Sequence, residues 1–224
     1  MIENFAKVFS HWDDFAIGFA NTAWLSALAA TASLILALIL TLPLMARTVA
    51  VRATARALVD GIRCIPFLLL AYLVYYVLPE LGVRLSSWAS GLLTMVVYNT
   101  AYFAEILRGA WSHLPHEQEE TGRAFGYSGM HLFIRIIAPQ IFLAAGPVLG
   151  NQMIMLIKDS AFLMVITVPE LTYKANQVQS LYYVPFETFI VAVALYWILC
   201  TTVEHGVRRL ERVAEVRRYE SGAG

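Results

Sequence analysis

Runs of apolar residues, separated by short polar stretches, divide the chain into five segments of membrane-crossing character. A helix needs about 20 mostly apolar residues to cross a bilayer. Gly18 to Ala46 contains no charged residue. Cys64 to Pro79 is also free of charge, and an amphipathic lead-in from Ala55 is expected to lengthen it. Leu85 to Ala104, Ile136 to Ile157 and Thr188 to Val203 complete the set, the last extendable back through Phe186. Ala161 to Val168 is apolar but too short to cross, and reads as re-entrant or interfacial. The pattern predicts an all-α polytopic bundle of about five membrane helices. Residues 1–17 form an external segment, 18–206 the membrane domain and 207–224 a basic cytoplasmic tail.

Composition agrees with that reading. Of the 224 residues, 59% are hydrophobic and 14% charged, where a soluble domain carries about 25% charged residues. The net charge is zero, so no polybasic surface points to nucleic acid. Cys64 and Cys200 lie in apolar stretches and read as buried spacers rather than a disulfide. No Cys/His cluster has metal-ligand spacing, and no cofactor is expected. The first residues carry acids and lack the basic start of a cleaved leader.

Basic residues set the expected orientation. Arg47, Arg52, Arg56 and Arg63 follow the first span; Arg108, Arg123 and Arg135 lie between the third and fourth. Arg208, Arg209, Arg212, Arg217 and Arg218 are in the tail. Those twelve share one side, against Lys7, Arg84, Lys158 and Lys174 on the other. The C-terminus is therefore expected in the cytoplasm and the N-terminus outside. Glu204 to Glu220 reads as a short basic amphipathic helix anchoring at the headgroups.

The loop spanning residues 111–133 carries the strongest local signals. Pro115 suits a first helical turn, and Glu117, Glu119 and Glu120 favour the positive end of its dipole. Gly126 can end the helix in the left-handed conformation, and Ser128 can cap the next. The result is a short cytoplasmic helix with an apolar knob of Ala124, Phe125 and Tyr127, of a shape that fits a groove on another protein.

These residues resemble the EAA loop of ABC importer permeases. Glu120-Thr121-Gly122, then Gly126, then Ile136-Ile137-Ala138-Pro139 follow its spacing, with Thr121 and Gly122 in place of two alanines. Gly122 weakens the helix by roughly 1 kcal/mol relative to alanine. Arg63-Cys-Ile-Pro66 with Tyr75-Tyr-Val-Leu-Pro79 is similar to the second span of polar amino-acid permeases. Ala101-Tyr-Phe-Ala-Glu105-Ile-Leu-Arg108-Gly-Ala110 is similar to the third, and Lys158-Asp159-Ser160 with Val168-Pro-Glu-Leu171 to the stretch after the fourth. Asn21-Thr22 before the first span fits as well. The final part, with Tyr182, Pro185-Phe186 and Leu210-Glu211-Arg212, is similar to subunits serving histidine, basic amino acids and opines.

The resemblance implies a type I ABC importer subunit without covalent chemistry of its own. Glu120, Thr121, Gly122, Ala124, Phe125, Gly126 and Pro139 are the implied ATPase-coupling residues. The implied partners are ABC ATPase subunits, a second permease (a copy or a related chain), an extracytoplasmic solute-binding protein and an amino-acid substrate. The chain has no G-x-x-x-x-G-K-[ST] phosphate cradle, so ATP must be bound elsewhere.

Polar residues at membrane depth are the pathway candidates. Asn99, Thr100 and Tyr102 in span three, and Asn151 and Gln152 in span four, either bond helix to helix or face a pathway. Glu105 either pairs with Arg108 three residues on or contacts substrate. Lys158 and Asp159 are expected to end span four on the outside, with Lys158 snorkelling and Asp159 and Ser160 near substrate. Pro139, Gly146, Pro147 and Gly150 permit kinks in that span. The five histidines show no paired spacing. An ion-coupled secondary transporter would show internal repeats, which are not seen here. An intramembrane protease would need a nucleophile and base at depth, and every histidine lies outside the spans or at their margins. An ABC permease for another solute remains the alternative.

Overall fold

A computed structural model describes the backbone of residues 2–222 and the side chains of residues 3–209. Every regular element among them is helical. Tail residues Leu210, Glu211, Arg212, Arg217 and Arg218 lie outside the described side chains.

Residues 1–17 hold α1 (Ile2–Phe9) and the first turns of α2 (Trp12–Leu44). Helix α2 buries Gly18, Thr22, Ser26, Ala29, Ser33, Ala37 and Thr41, a stripe at three- and four-residue spacing. Small residues on one face let backbones approach closely, which drives packing where lipid removes the hydrophobic difference between inside and outside. Ser33 donates to the Val96 carbonyl at 3.2 Å, across to α6 (Ser87–Ser112).

The lead-in expected to lengthen span two does not do so. It forms a separate helix, α3 (Val49–Cys64), bent by 99° from the apolar helix that follows. The cause is Pro66, which holds Ile65 in extended backbone at φ −82°, ψ 130°. Beyond it run α4 (Phe67–Tyr72), a π-helical segment Leu73–Val77 and α5 (Leu78–Glu80). A second π segment, Phe133–Ile137, joins α8 (Gly129–Leu132) to α9 (Ala138–Asp159). Each π segment ends two residues before a proline, Pro79 or Pro139. A proline offers no N–H and its ring clashes with the carbonyl four residues back, and the wider turn relieves both.

Helix α9 runs unbroken through Gly146, Pro147 and Gly150, so those residues do not interrupt it. Gly150 instead lets α9 approach α11 (Pro185–Gly222): a Cβ there would lie 2.5 Å from Val207 Cγ1. The chain then continues as a 3₁₀ helix, Ser160–Ile166. The apolar helical run Gly129–Ile166 is 38 residues long, and its α-helical part, α9, ends at Lys158-Asp159. Leu163 and Val168 close over Gly91 of α6.

Three helical runs, Trp12–Leu44, Gly129–Ile166 and Pro185–Arg209, are long and apolar enough to cross a membrane, and the bent pair α3 with α4–α5 makes up to four. The expected third span lies in α6. Its 26 residues are enough in length, but Asn99, Tyr102 and Glu105 dilute its apolarity.

Helix α10 (Leu171–Tyr182) is capped by Glu170, whose carboxylate accepts from the N–H groups of Thr172 and Tyr173 at 2.8 and 2.6 Å. Tyr196 of α11 donates to the same carboxylate at 2.6 Å. Burial pushes the Glu170 carboxyl above its usual range, against the pull of these hydrogen bonds. Asn21 lies inside α2, not before it, and donates to the Pro169 carbonyl at 2.8 Å; Thr22 accepts from Leu171 N–H at 3.0 Å. A Cβ on Gly18 would meet the Leu171 Cα at 2.9 Å, a backbone atom that cannot swing aside. Gly18→Leu is therefore expected to cost about 1–3 kcal/mol. Thermal unfolding of the purified chain in detergent should show a midpoint several degrees lower.

Candidate functional site

Helix α7 (His116–Ala124) and its turn form the knob between the third and fourth expected spans. Gly126 has φ +86°. Its N–H donates to the Arg123 carbonyl at 3.0 Å, and Tyr127 N–H to the Gly122 carbonyl at 3.0 Å, the paired closure of a left-handed helix end. Thr121, Ala124 and Gly126 are exposed, and Phe125 is 78% exposed at the tip. Arg123 is engaged with Glu119 at 2.6 Å. Ser128 caps the next helix through its carbonyl, which accepts from His131 and Leu132, and not through its hydroxyl.

Gly122 is packed against its own chain. It is buried, and a Cβ there would stand 2.5 Å from Leu132 Cδ1 and 2.6 Å from Ile136 Cδ1. Its smallness lets α7 lie flat on its own bundle. Glu120, Arg47, Trp111 and Phe133 line a cavity of about 730 Å³ between α7 and the end of α2. Pro139 sits beyond the π segment, apart from the knob.

The polar residues of α6 and α9 separate into distinct groups. Asn99 is fully buried and accepts from Gln152 at 3.0 Å while donating to the Met95 carbonyl, so this pair joins helix to helix. Glu105 takes two bonds of 2.7 Å from Arg108, a bidentate pair toward the C-terminal end of α6. Asn151 faces outward on an exposed stripe of α9 with Ala144, Pro147, Val148, Met155 and Lys158. Ser160 is buried and donates to the Ile157 carbonyl.

Tyr102 is paired with a residue the sequence reading missed, Tyr98. The hydroxyls of Tyr98 and Tyr102 are 3.2 Å apart, and Asp159 is half-buried at the end of α9. Tyr102 donates to the Arg63 carbonyl at 3.3 Å. Phe67 packs edge-on to Tyr98 and also against Phe162. The signal was present as two tyrosines four residues apart in a helix otherwise rich in small and apolar residues.

Residues 30–214 match the family described as the binding-protein-dependent transport system inner membrane component. The chain belongs to this family. The matched residues include the knob, the tyrosine pair and Asp159 of this inner membrane component. It is 29% identical over 212 residues to a probable glutamine ABC transporter permease protein, GlnM of Bacillus subtilis, covering 95% of this chain and 98% of that one. It is 32% identical over 209 residues to the L-cystine transport system permease protein TcyB of Bacillus subtilis, covering 91% and 89%. The solved structure of an amino acid ABC transporter with histidines superposes with a TM-score of 0.83 at 28% identity, over 93% of this chain and 97% of that one. As a member of this family, the inner membrane component is a multi-pass transport subunit that works with an ATPase and a solute-binding protein.

Proposed function

We propose that this chain is the permease subunit of an ATP-driven importer for a polar amino acid, in the class of basic amino acids, histidine or opines. The single observation that carries the reading is the knob: a short helix closed at Gly126, with Phe125 held 78% exposed. An apolar side chain so placed fits a groove of a motor subunit. The N-terminus lies outside and the C-terminus in the cytoplasm, following the basic residues.

A loaded binding protein delivers solute to the outer face. ATP closes two ATPase subunits, and the segment Glu120 to Gly126 passes that movement to the bundle. The bundle and a second permease, a copy or a relative, then exchange outward for inward access. Tyr98, Tyr102 and Asp159 form the polar track, and Asp159 takes a cationic group of the solute. Asn99 and Glu105, each engaged within the chain, contribute structure to the walls of that track. The exposed stripe through Asn151 and Lys158 faces the second permease or water, because lipid would leave both groups unsolvated.

The complete complex, reconstituted with its ATPase and binding protein, is expected to hydrolyse ATP several-fold faster when the binding protein carries a polar amino acid. An ATPase rate indifferent to the loaded binding protein would remove the proposal.

A further inference from the structure

We infer that Arg63 recognises a carboxylate in the substrate pathway, taking the α-carboxylate of an amino acid whose cationic end is directed toward Asp159. The inference rests on the amino-acid reading given under Proposed function and assigns a residue and a binding orientation to it.

Arg63 stands in the last turn of α3, just before the sharp bend at Ile65-Pro66. The bend turns it toward α6, where its guanidinium carbon lies 5.3 Å from the ring centroid of Tyr102. A guanidinium stacked on an aromatic face is held flat, with its donors in the plane left available. Those donors are under-used. Nε is buried and has no hydrogen-bond partner. One terminal nitrogen reaches Asp60 at 3.4 Å, a long contact to an exposed carboxylate. The nearest alternative acid on α6, Glu105, is already engaged by Arg108 through both oxygens. A planar fork with free donors, oriented in advance, is the arrangement that binds a carboxylate through two bonds.

The surroundings give that carboxylate a direction. From Arg63 the ring of Tyr102 leads to Tyr98, and Asp159 is the one pathway candidate with a carboxylate not engaged in an ion pair among the described residues. Phe67 and Phe162 wall the Tyr98 end. The Arg63 cation stands at one end of this aromatic rail. Such a rail matches a molecule carrying a carboxylate at one end and an amino or guanidinium group at the other.

The test uses the purified permease–ATPase complex without the binding protein, so that the partner's own selectivity does not enter. Equilibrium binding of L-arginine is compared with that of agmatine, which has the same guanidinium and no carboxylate. Wild-type complex is expected to prefer L-arginine by roughly tenfold or more. In R63Q the two should bind about equally. R63K keeps the charge but loses the fork and the stack, and should fall between. D60N, which removes the long surface contact, should leave the preference intact. The ratio of the two affinities is the readout because general destabilisation of the protein weakens both probes alike.

R63Q retaining the wild-type ratio overturns the inference. If R63Q does not assemble, a wild-type ratio in R63K overturns it as well. A wild-type complex that binds none of L-arginine, L-histidine, L-glutamine or L-cystine sinks the amino-acid reading first and this inference with it. Binding of those solutes with no dependence on Arg63 sinks the inference alone.

Discussion

Gly126→Ile is expected to uncouple ATP hydrolysis from transport while leaving the membrane bundle folded. The glycine has φ +86°, and a Cβ built on it meets nothing within 4 Å. The effect is therefore one of backbone conformation and not of crowding. Left-handed backbone costs an L-residue roughly 1–2 kcal/mol, and a β-branched residue more. Rather than bear that cost, the turn is expected to open, losing the bonds from Gly126 to Arg123 and from Tyr127 to Gly122. Phe125 would then point elsewhere. Stimulated ATPase activity and uptake in proteoliposomes should fall by roughly tenfold or more, while the unfolding midpoint of the bundle moves little. Gly126→Asn should keep much of the activity, because asparagine tolerates this conformation. Unchanged transport in the isoleucine variant would count heavily against docking through this turn.

Asp159→Asn is expected to remove cationic solutes from the transport profile. The substitution conserves size and withdraws one charge from a half-buried position at the end of α9. A hydrogen bond to a charged group contributes about 1.5–3 kcal/mol, or roughly ten- to hundredfold in affinity. Uptake of L-arginine should therefore rise in KM by that factor. Asp159→Lys should abolish it, because two cations then meet in the same track. Competition assays with L-arginine against L-glutamine read the outcome. A profile unaltered by charge reversal would take Asp159 out of the pathway.

The knob and most of the bundle were legible in the sequence because both rest on local rules. Proline before a helix, carboxylates in its first turn and glycine after it act within a few residues, so Pro115 to Gly126 could be placed without tertiary knowledge. Apolar runs mark the spans for the same reason. The bend at Ile65-Pro66 carried its own signal too, since the residue before proline avoids helix, yet hydropathy alone joined Ala55 to Pro79.

The course of the chain after Asp159 was not legible. It depends on Leu163 and Val168 seating over Gly91, and on Asn21 and Thr22 holding Pro169 and Leu171 from another helix. These are contacts between residues far apart in sequence. The inward turn of Gly122 escaped in the same way. A small residue on a short helix suits a partner as well as its own bundle, and only the positions of Leu132 and Ile136 separate the two.

The winding of Ser160–Ile166 changes what an insertion or deletion there would do. Seven residues at three per turn climb about 14 Å, against about 10.5 Å in an α-helix. The chain gains height from tighter coiling and needs no additional residues for it. Removing three residues would shorten this stretch by about 6 Å yet bring every later side chain back to its former azimuth. Removing one would swing them all by about a third of a revolution, carrying Glu170 off Tyr196. Length variation at this place is therefore tolerable only in whole turns of three.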